Sequence, residues 1–316
     1  MAGDDATKAP RVSLTVVIAF AANFFVALAK SVAAVISGSA SMTAEAAHSW
    51  ADTGNEVFLF VAERRSVRPR DDRHPMGYGR EAYVWSMFAA FGLFTVGAVL
   101  SIMHGIQSLT SDAGPENYLV AYVVLAVSAV LEGTSFAQAL RQARREARRV
   151  DQGTLEHVLE SSNPTLRAVF AEDAAALIGL AIAFLGILLH EVTGNAAYDA
   201  VGSILIGVLL GVIAVILIDR NRRFLIGETT GRQSERAAVR FLLDRDEIDR
   251  VTYVHLEFVG PGKVYLVAAV DIRGNNDEEH VSVDLRRVER ELETHDFIEE
   301  AVLTLATKDE TSLPAS

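Results

Sequence analysis

Six long apolar runs organise the first 225 residues of the chain. Each run is about 20–28 residues long, which is enough for an α-helix to cross the hydrocarbon core of a bilayer. Polar or charged segments separate the runs, so the pattern predicts six membrane-spanning helices. They are expected at residues 12–36, 42–63, 82–109, 117–140, 166–190 and 198–225.

The charged segments between the runs are unevenly distributed. Basic residues precede the first run and follow the second, fourth and sixth, whereas the other connections carry no Lys or Arg. Positively charged loops are typical of the cytoplasmic side, so both termini are expected in the cytoplasm. Residues 1–11 are read as a cytoplasmic tail without a cleavable targeting segment. We expect a multi-pass protein of a prokaryotic cell membrane.

The pattern changes after the last apolar run. An amphipathic segment is followed by two strand-like segments joined by "GPG", then by a second amphipathic segment and a last strand. This α-β-β-α-β order predicts a small cytoplasmic α+β domain, with two helices on one face of a three-stranded sheet. The expected domains are a membrane domain over 12–227, the α+β domain over 228–308 and a disordered tail over 309–316.

Composition narrows the function further. The chain is 50% hydrophobic and 22% charged, and its formal net charge is −12. This acidic balance argues against nucleic acid as a partner. Because the chain has no cysteine, disulfides and thiolate metal sites are excluded.

Several ionisable residues fall inside the predicted membrane helices. Such residues are costly in hydrocarbon and are candidates for function. The second run carries His48 and Asp52, four residues apart and therefore on one helix face, and the fifth run carries Glu172 and Asp173. Imidazole and carboxylate groups are ligands for divalent ions such as Zn²⁺, Co²⁺, Fe²⁺ or Mn²⁺. One turn of the second helix therefore offers two metal ligands, and a tetrahedral site needs two more from elsewhere.

Each of these residues also has a structural interpretation. His48 and Asp52 could make a polar contact between helices, and Glu172 could pair with Lys30 or Arg167. Glu45 and Asp199 lie toward the outer side, where they could line an ion path. Glu45 could instead satisfy hydrogen bonds near the start of the second helix, and Asp199 could cap the sixth.

The segments "SGSASMTAEAAHSWAD" and "DDRHPMGYGREAY" resemble the signature and loop motifs of the cation diffusion facilitator family. The stretches "FAEDAAALIGL" and "TGNAAYDAVGSILIGVLLG" look closest to the branch that includes the animal mitochondrial zinc transporter. The resemblance implies a homodimer that exports a divalent cation from the cytoplasm in exchange for protons by alternating access. It also implies that the C-terminal domain is similar to small metallochaperones.

The resemblance assigns roles to individual positions. His48, Asp52 and Asp173 match metal ligands, but Val169 stands where many relatives have a fourth ligand. Glu172 or water could supply the missing donor.

In the loop after the second helix, Asp71 and His74 match positions that bind a second ion in some relatives. Tyr78 occupies a position that is often His, so a weakened or absent loop site is expected.

Together these features predict a metal:proton antiporter, with Zn²⁺ as the favoured ion and no prosthetic group. Mn²⁺, Fe²⁺ or Co²⁺ is the alternative cargo. A membrane metallohydrolase is disfavoured because the HExxH motif is absent. A non-transporting metal sensor or scaffold is an alternative function, because the C-terminal domain lacks most of the metal ligands found in relatives.

Overall fold

The structure is a computed structural model that describes residues 14–110, 117–149, 152–274 and 277–314. The expected N-terminal tail over 1–11 and the last two residues of the expected C-terminal tail lie outside these ranges. The described residues form helices up to residue 243 and a mixture of strands and one helix after it.

The first part of the chain is helical. Its elements are α1 (Leu14–Ser37), α2 (Ala40–Ser66), α3 (Glu81–Ala89), a π-helical segment (Ala90–Phe94), α4 (Thr95–Ser108), α5 (Tyr118–Arg149), α6 (Thr154–Glu160), α7 (Pro164–Thr193) and α8 (Ala197–Leu225). The predicted third run thus corresponds to α3, the π-helical segment and α4 in succession. The fourth predicted helix ends nine residues later than expected, because the Arg-rich segment after residue 140 continues α5.

Five helical stretches among the described residues are long and apolar enough to cross a membrane. They are Phe20–Ser37, Glu81–Ser108, Tyr118–Arg149, Pro164–Thr193 and Ala197–Leu225. The α2 helix has 27 residues, but its acidic residues lower its hydropathy, and it is not among the five. The expected count of six therefore stays a prediction.

Small residues fill the interior of the helical part. Fully buried alanines are spread over the helices, including Ala27, Ala33, Ala44, Ala90, Ala121, Ala175, Ala183 and Ala200. Such residues allow close helix packing in membranes. Large apolar side chains such as Val35 and Val215 point outward and are exposed, as expected of a surface that faces lipid.

The C-terminal part consists of α9 (Arg232–Leu243), β1 (Ile248–Gly260), β2 (Lys263–Ile272), α10 (Glu278–Leu292) and β3 (Ile298–Leu305). This is the predicted α-β-β-α-β order. The strand order is β1-β2-β3, with β1 and β2 antiparallel and β2 and β3 parallel. Apolar residues of α9 and α10 pack with those of the three strands into one core. A small C-terminal α+β fold is therefore confirmed.

The described chain separates into two compact units. The first covers residues up to 64 together with 85–221, and the second covers 65–84 together with residues from 222 onward. Within the second unit, Arg80 pairs with Glu257, and the Tyr83 ring stacks on Phe224 with centroids 5.1 Å apart. The connection after α2 thus packs with the C-terminal part of the chain, whereas the sequence placed it in the membrane domain.

Candidate metal site

The α2 helix brings His48 and Asp52 together, as their four-residue spacing predicts. His48 Nε2 lies 3.3 Å from Asp52 Oδ1, and both residues are buried. Neither ring nitrogen of His48 makes a hydrogen bond with any residue that the structure describes. Buried polar atoms are normally hydrogen-bonded because their desolvation is costly. The imidazole is therefore available to a ligand.

Glu172 is the α7 carboxylate that meets α2. Asn55 Nδ2 donates a hydrogen bond to Glu172 Oε2 at 2.6 Å, and both residues are buried. Asp52 and Asn55 are three residues apart and face the same direction on α2. Glu172 thus adds a second carboxylate beside the His48–Asp52 pair.

Asp173 faces a different helix. Its Oδ2 accepts a hydrogen bond of 2.8 Å from Ser135 Oγ on α5. Consecutive residues of an α-helix point about 100° apart, so Glu172 and Asp173 leave α7 in different directions. In the described structure, no hydrogen bond or ion pair joins Asp173 to His48 or Asp52. Of the two adjacent acids, Glu172 is the one beside the α2 pair.

The described residues contain no ready-made group of three His, Cys, Asp or Glu side chains able to hold a metal ion. The polar groups instead form two contacts along one face of α2, His48 with Asp52 and Asn55 with Glu172 of α7. One imidazole and two carboxylates fit the donor types that bind divalent transition metals, but they would have to converge on the ion.

Glu45 is engaged in an ion pair. Its Oε2 lies 2.9 Å from Lys30 Nζ on α1, and Lys30 Nζ is also 3.9 Å from Glu132 Oε1 on α5. Lys30 therefore pairs with Glu45 and Glu132, and not with Glu172, which was one of the sequence alternatives.

Asp199 caps a helix other than its own. Its Oδ2 accepts a hydrogen bond from the Ala40 backbone N–H at 2.6 Å, and its Oδ1 accepts from Ser41 N and Ser39 Oγ. These donors lie at the start of α2, where backbone N–H groups lack partners within the helix. The geometry gives Asp199 a capping role.

The loop residues Asp71 and His74 form a tight turn. Asp71 Oδ1 accepts hydrogen bonds from the backbone N–H groups of Arg73 and His74, and Tyr78 Oη donates to Asp71 Oδ2 at 2.7 Å. The hydrogen bond from Tyr78 is the main cause that lowers the pKa of Asp71 to about 2. The His74 ring packs against the Tyr78 ring, with centroids 4.1 Å apart. Both oxygens of the Asp71 carboxylate thus accept hydrogen bonds from within the loop.

Sequence reasoning missed two polar residues, Glu56 and Ser135. Glu56 Oε1 accepts a hydrogen bond of 2.6 Å from Asn23 Nδ2 on α1, and Ser135 donates to Asp173. Asn55, which the helical spacing places on the same face as His48 and Asp52, donates to Glu172. Glu56 follows Asp52 by four residues, so the spacing that selected His48 and Asp52 also indicated Glu56. Ser135 gave no such signal because it is a single hydroxyl in an apolar helix.

Comparisons with known proteins agree with this architecture. Residues 16–226 match the Cation efflux transmembrane domain family. The chain is 36% identical over 238 residues to Metal tolerance protein C4 of Arabidopsis thaliana, covering 75% of this chain and 52% of that protein. It is 34% identical over 259 residues to the human mitochondrial proton-coupled zinc antiporter SLC30A9, covering 82% of this chain and 46% of that protein. The chain thus spans about half the length of these relatives.

The match to the family covers most of the helical part, including both halves of the candidate site on α2 and α7. The chain therefore belongs to the cation efflux, or cation diffusion facilitator, family of multi-pass membrane proteins and lies close to the branch of the animal mitochondrial zinc transporter.

Proposed function

We propose that this protein is a divalent metal:proton antiporter that exports Zn²⁺ from the cytoplasm. The observation that carries the proposal is that Asn55 holds the Glu172 carboxylate on the α2 face that carries Asp52. The buried imidazole of His48 lies on the same helix, 3.3 Å from Asp52, and its ring nitrogens have no hydrogen-bond partner among the described residues. The name of the human relative, a proton-coupled zinc antiporter, supports the same cargo and coupling.

Ion and protons would compete for the same atoms. Carboxylate and imidazole groups must lose their protons before they bind a metal. Binding of a divalent ion therefore releases protons, and protonation on the other side of the membrane releases the ion. Imidazole is the side chain that ordinarily titrates near neutral pH, which makes His48 the best candidate for a proton carrier.

In this proposal His48, Asp52 and Glu172 are the principal ligands. Asp173 matches a family ligand position, and in this conformation its Oδ2 accepts a hydrogen bond from Ser135 Oγ. Water completes the coordination in place of a side chain at Val169. Because two of the three ligands are carboxylates, Mn²⁺ and Fe²⁺ are the main competing cargoes, with Co²⁺ as a further one.

The proposed topology adds α2 to the five candidate spans, which gives six membrane helices. Its acidic face is turned inward, since Glu45, His48, Asp52 and Asn55 are all buried, so the helix can lie in the membrane despite its charge. The protein would be a homodimer with both termini in the cytoplasm of a prokaryotic cell. Residues 12–227 would form the membrane domain, apart from the connection over 65–84 that packs with the C-terminal unit, and 228–308 would form a metallochaperone-like domain.

The test is metal flux in proteoliposomes that carry a proton gradient. We expect Zn²⁺ uptake by the parent to depend on the gradient and the His48→Ala variant to lose it. His190→Ala is the matched control, because His190 is a similarly buried histidine on α7 that packs against Tyr118. Competition by Mn²⁺, Fe²⁺ and Co²⁺ in the same assay identifies the preferred ion.

Two results would contradict the proposal. Flux by His48→Ala equal to that of the parent would show that the site is wrongly assigned. Metal binding by the parent without any flux would favour a non-transporting sensor or scaffold.

A further inference from the structure

Lys30 is a charged side chain placed in the interior of the helical unit. It is 1% exposed and lies on α1, where its ammonium group contacts Glu45 of α2 at 2.9 Å and Glu132 of α5 at 3.9 Å. Burying an ammonium group is costly unless carboxylates compensate for the lost hydration. Three helices are therefore linked through one cation.

Glu45 lies between this cation and the candidate metal site. Its Oε2 faces Lys30, whereas its Oε1 faces α7 at Gly179, where an added Cβ would collide with it. The same Cβ would be 3.8 Å from His48 Nδ1. Glu45 Oε1 and His48 Nδ1 thus border the same small space beside Gly179.

The Glu45 carboxylate has a free oxygen close to the site without being one of its proposed ligands. Among the described residues, Oε1 has no hydrogen-bond partner. An uncompensated carboxylate at this distance would strengthen the attraction of the site for any cation, because Coulomb interactions are weakly screened in a buried environment. The Lys30 ammonium group opposes that attraction.

We propose that Lys30 is a built-in counter-charge that sets how tightly the site holds its divalent ion. The inference rests on the proposed function. By neutralising Glu45, Lys30 keeps the affinity low enough for the ion to be released during transport, and Lys30 itself does not contact the ion. In this role Lys30 determines the binding strength of the site through charge.

The experiment measures Zn²⁺ and Mn²⁺ affinity of the purified full-length chain at one fixed pH. We expect Lys30→Met to bind both ions at least about tenfold more tightly and Glu45→Gln to bind them at least about tenfold more weakly. In Lys30→Met/Glu45→Gln the two charge changes cancel, so its affinity should return to near that of the parent. Lys30→Arg should also resemble the parent because it keeps the charge.

A structural role for Lys30 predicts a different pattern. If Lys30→Met folds and binds both ions with the affinity of the parent, the counter-charge proposal is wrong. If the double variant binds as weakly as Glu45→Gln, Glu45 holds the ion directly and the proposal is also wrong. Should Lys30→Met not fold, Glu45→Gln and the double variant still decide between these outcomes.

Failure of the proposed function would give another result. A parent chain that binds neither ion overturns both proposals. If the parent binds and transports Zn²⁺ but Lys30→Met binds it with unchanged affinity, only the counter-charge proposal is overturned.

Discussion

Asp199 of α8 caps the N-terminus of α2 by accepting a hydrogen bond from the Ala40 backbone N–H at 2.6 Å. Ser41 strengthens this junction, because its hydroxyl donates to the Asp199 carbonyl oxygen and its backbone N–H donates to Oδ1. The Ser41 hydroxyl also fills the space beside Gly186 of α7 and Gly202 of α8. The start of the site helix is thereby fixed against both neighbours.

The cap predicts a loss of stability when Asp199 is changed. Asp199→Ala leaves several buried donors without partners, and we expect a cost of about 1–3 kcal/mol. The measurement is the thermal unfolding temperature of the purified protein. Asp199→Asn is the control, because its amide oxygen can still accept part of these bonds and should cost less. Loss of transport in Asp199→Ala with unchanged stability would instead place Asp199 on the ion path.

The two adjacent acids on α7 should differ in their effect on metal binding. Glu172 accepts a hydrogen bond from Asn55 on the α2 face that carries Asp52, whereas Asp173 accepts one from Ser135. We expect Glu172→Gln to weaken Zn²⁺ binding at least about tenfold and more than Asp173→Asn does. Asn55→Ala, which removes the group that orients Glu172, should weaken binding by about 10–100-fold. Calorimetry measures the Zn²⁺ affinity of each of the three purified variants. A greater loss of affinity in Asp173→Asn than in Glu172→Gln would make Asp173 the α7 ligand.

Gly179 should not tolerate a larger side chain. A Cβ at this position would collide with Glu45 Oε1, so Gly179→Ala must displace the Glu45 carboxylate or α7. We expect a cost of about 1–3 kcal/mol, typical of overpacking, as measured by thermal unfolding. Gly92→Ala is the matched control, because nothing lies within 4 Å of its added Cβ. Equal stability of the two variants would show that Glu45 moves without cost.

The C-terminal domain should lose stability in acid through Glu247. A hydrogen bond from its own backbone N–H and then those from Arg287 lower the pKa of Glu247 below its usual value of 4.5. Because the folded pKa is depressed, this contribution is present above pH 4.5 and is lost as the pH falls through the folded pKa. The contribution should be small, because an ion pair that water reaches is strongly screened.

Hydrogen exchange of α10 in the full chain measures the effect. Protection should decrease as the pH falls below 4.5, after correction for the intrinsic exchange rate, and Glu247→Gln should show a smaller decrease. An identical decrease in the variant would assign the acid sensitivity to other carboxylates.

The sequence predicted local structure well where periodicity was strong. Strand β2 (Lys263–Ile272) begins directly after the "GPG" turn, as the order of strand-like segments predicts. The end of α5 was missed because the segment after residue 140 is charged and was read as a loop. Arg, Gln, Glu and Ala are favourable helix residues, and the helix continues through them to Arg149.

The connection over 65–84 was assigned to the membrane domain from chain order alone. Its packing is decided by contacts far apart in sequence, such as Arg80 with Glu257 and the Gly79 backbone against Gly260. A close approach between two glycines leaves no periodic pattern in the sequence. The packing of residues 65–84 against the C-terminal part therefore could not be predicted from the sequence.

The helical and α+β parts, the family and the pairing of His48 with Asp52 follow from the sequence, because they depend on hydrophobic pattern, motif and spacing within one helix. The contacts of Glu172 with Asn55 and of Asp173 with Ser135, the ion pair of Lys30 with Glu45 and the capping of α2 by Asp199 required the three-dimensional structure. These relationships depend on how each helix is rotated about its axis and which helix lies beside it, and packing between distant segments sets both.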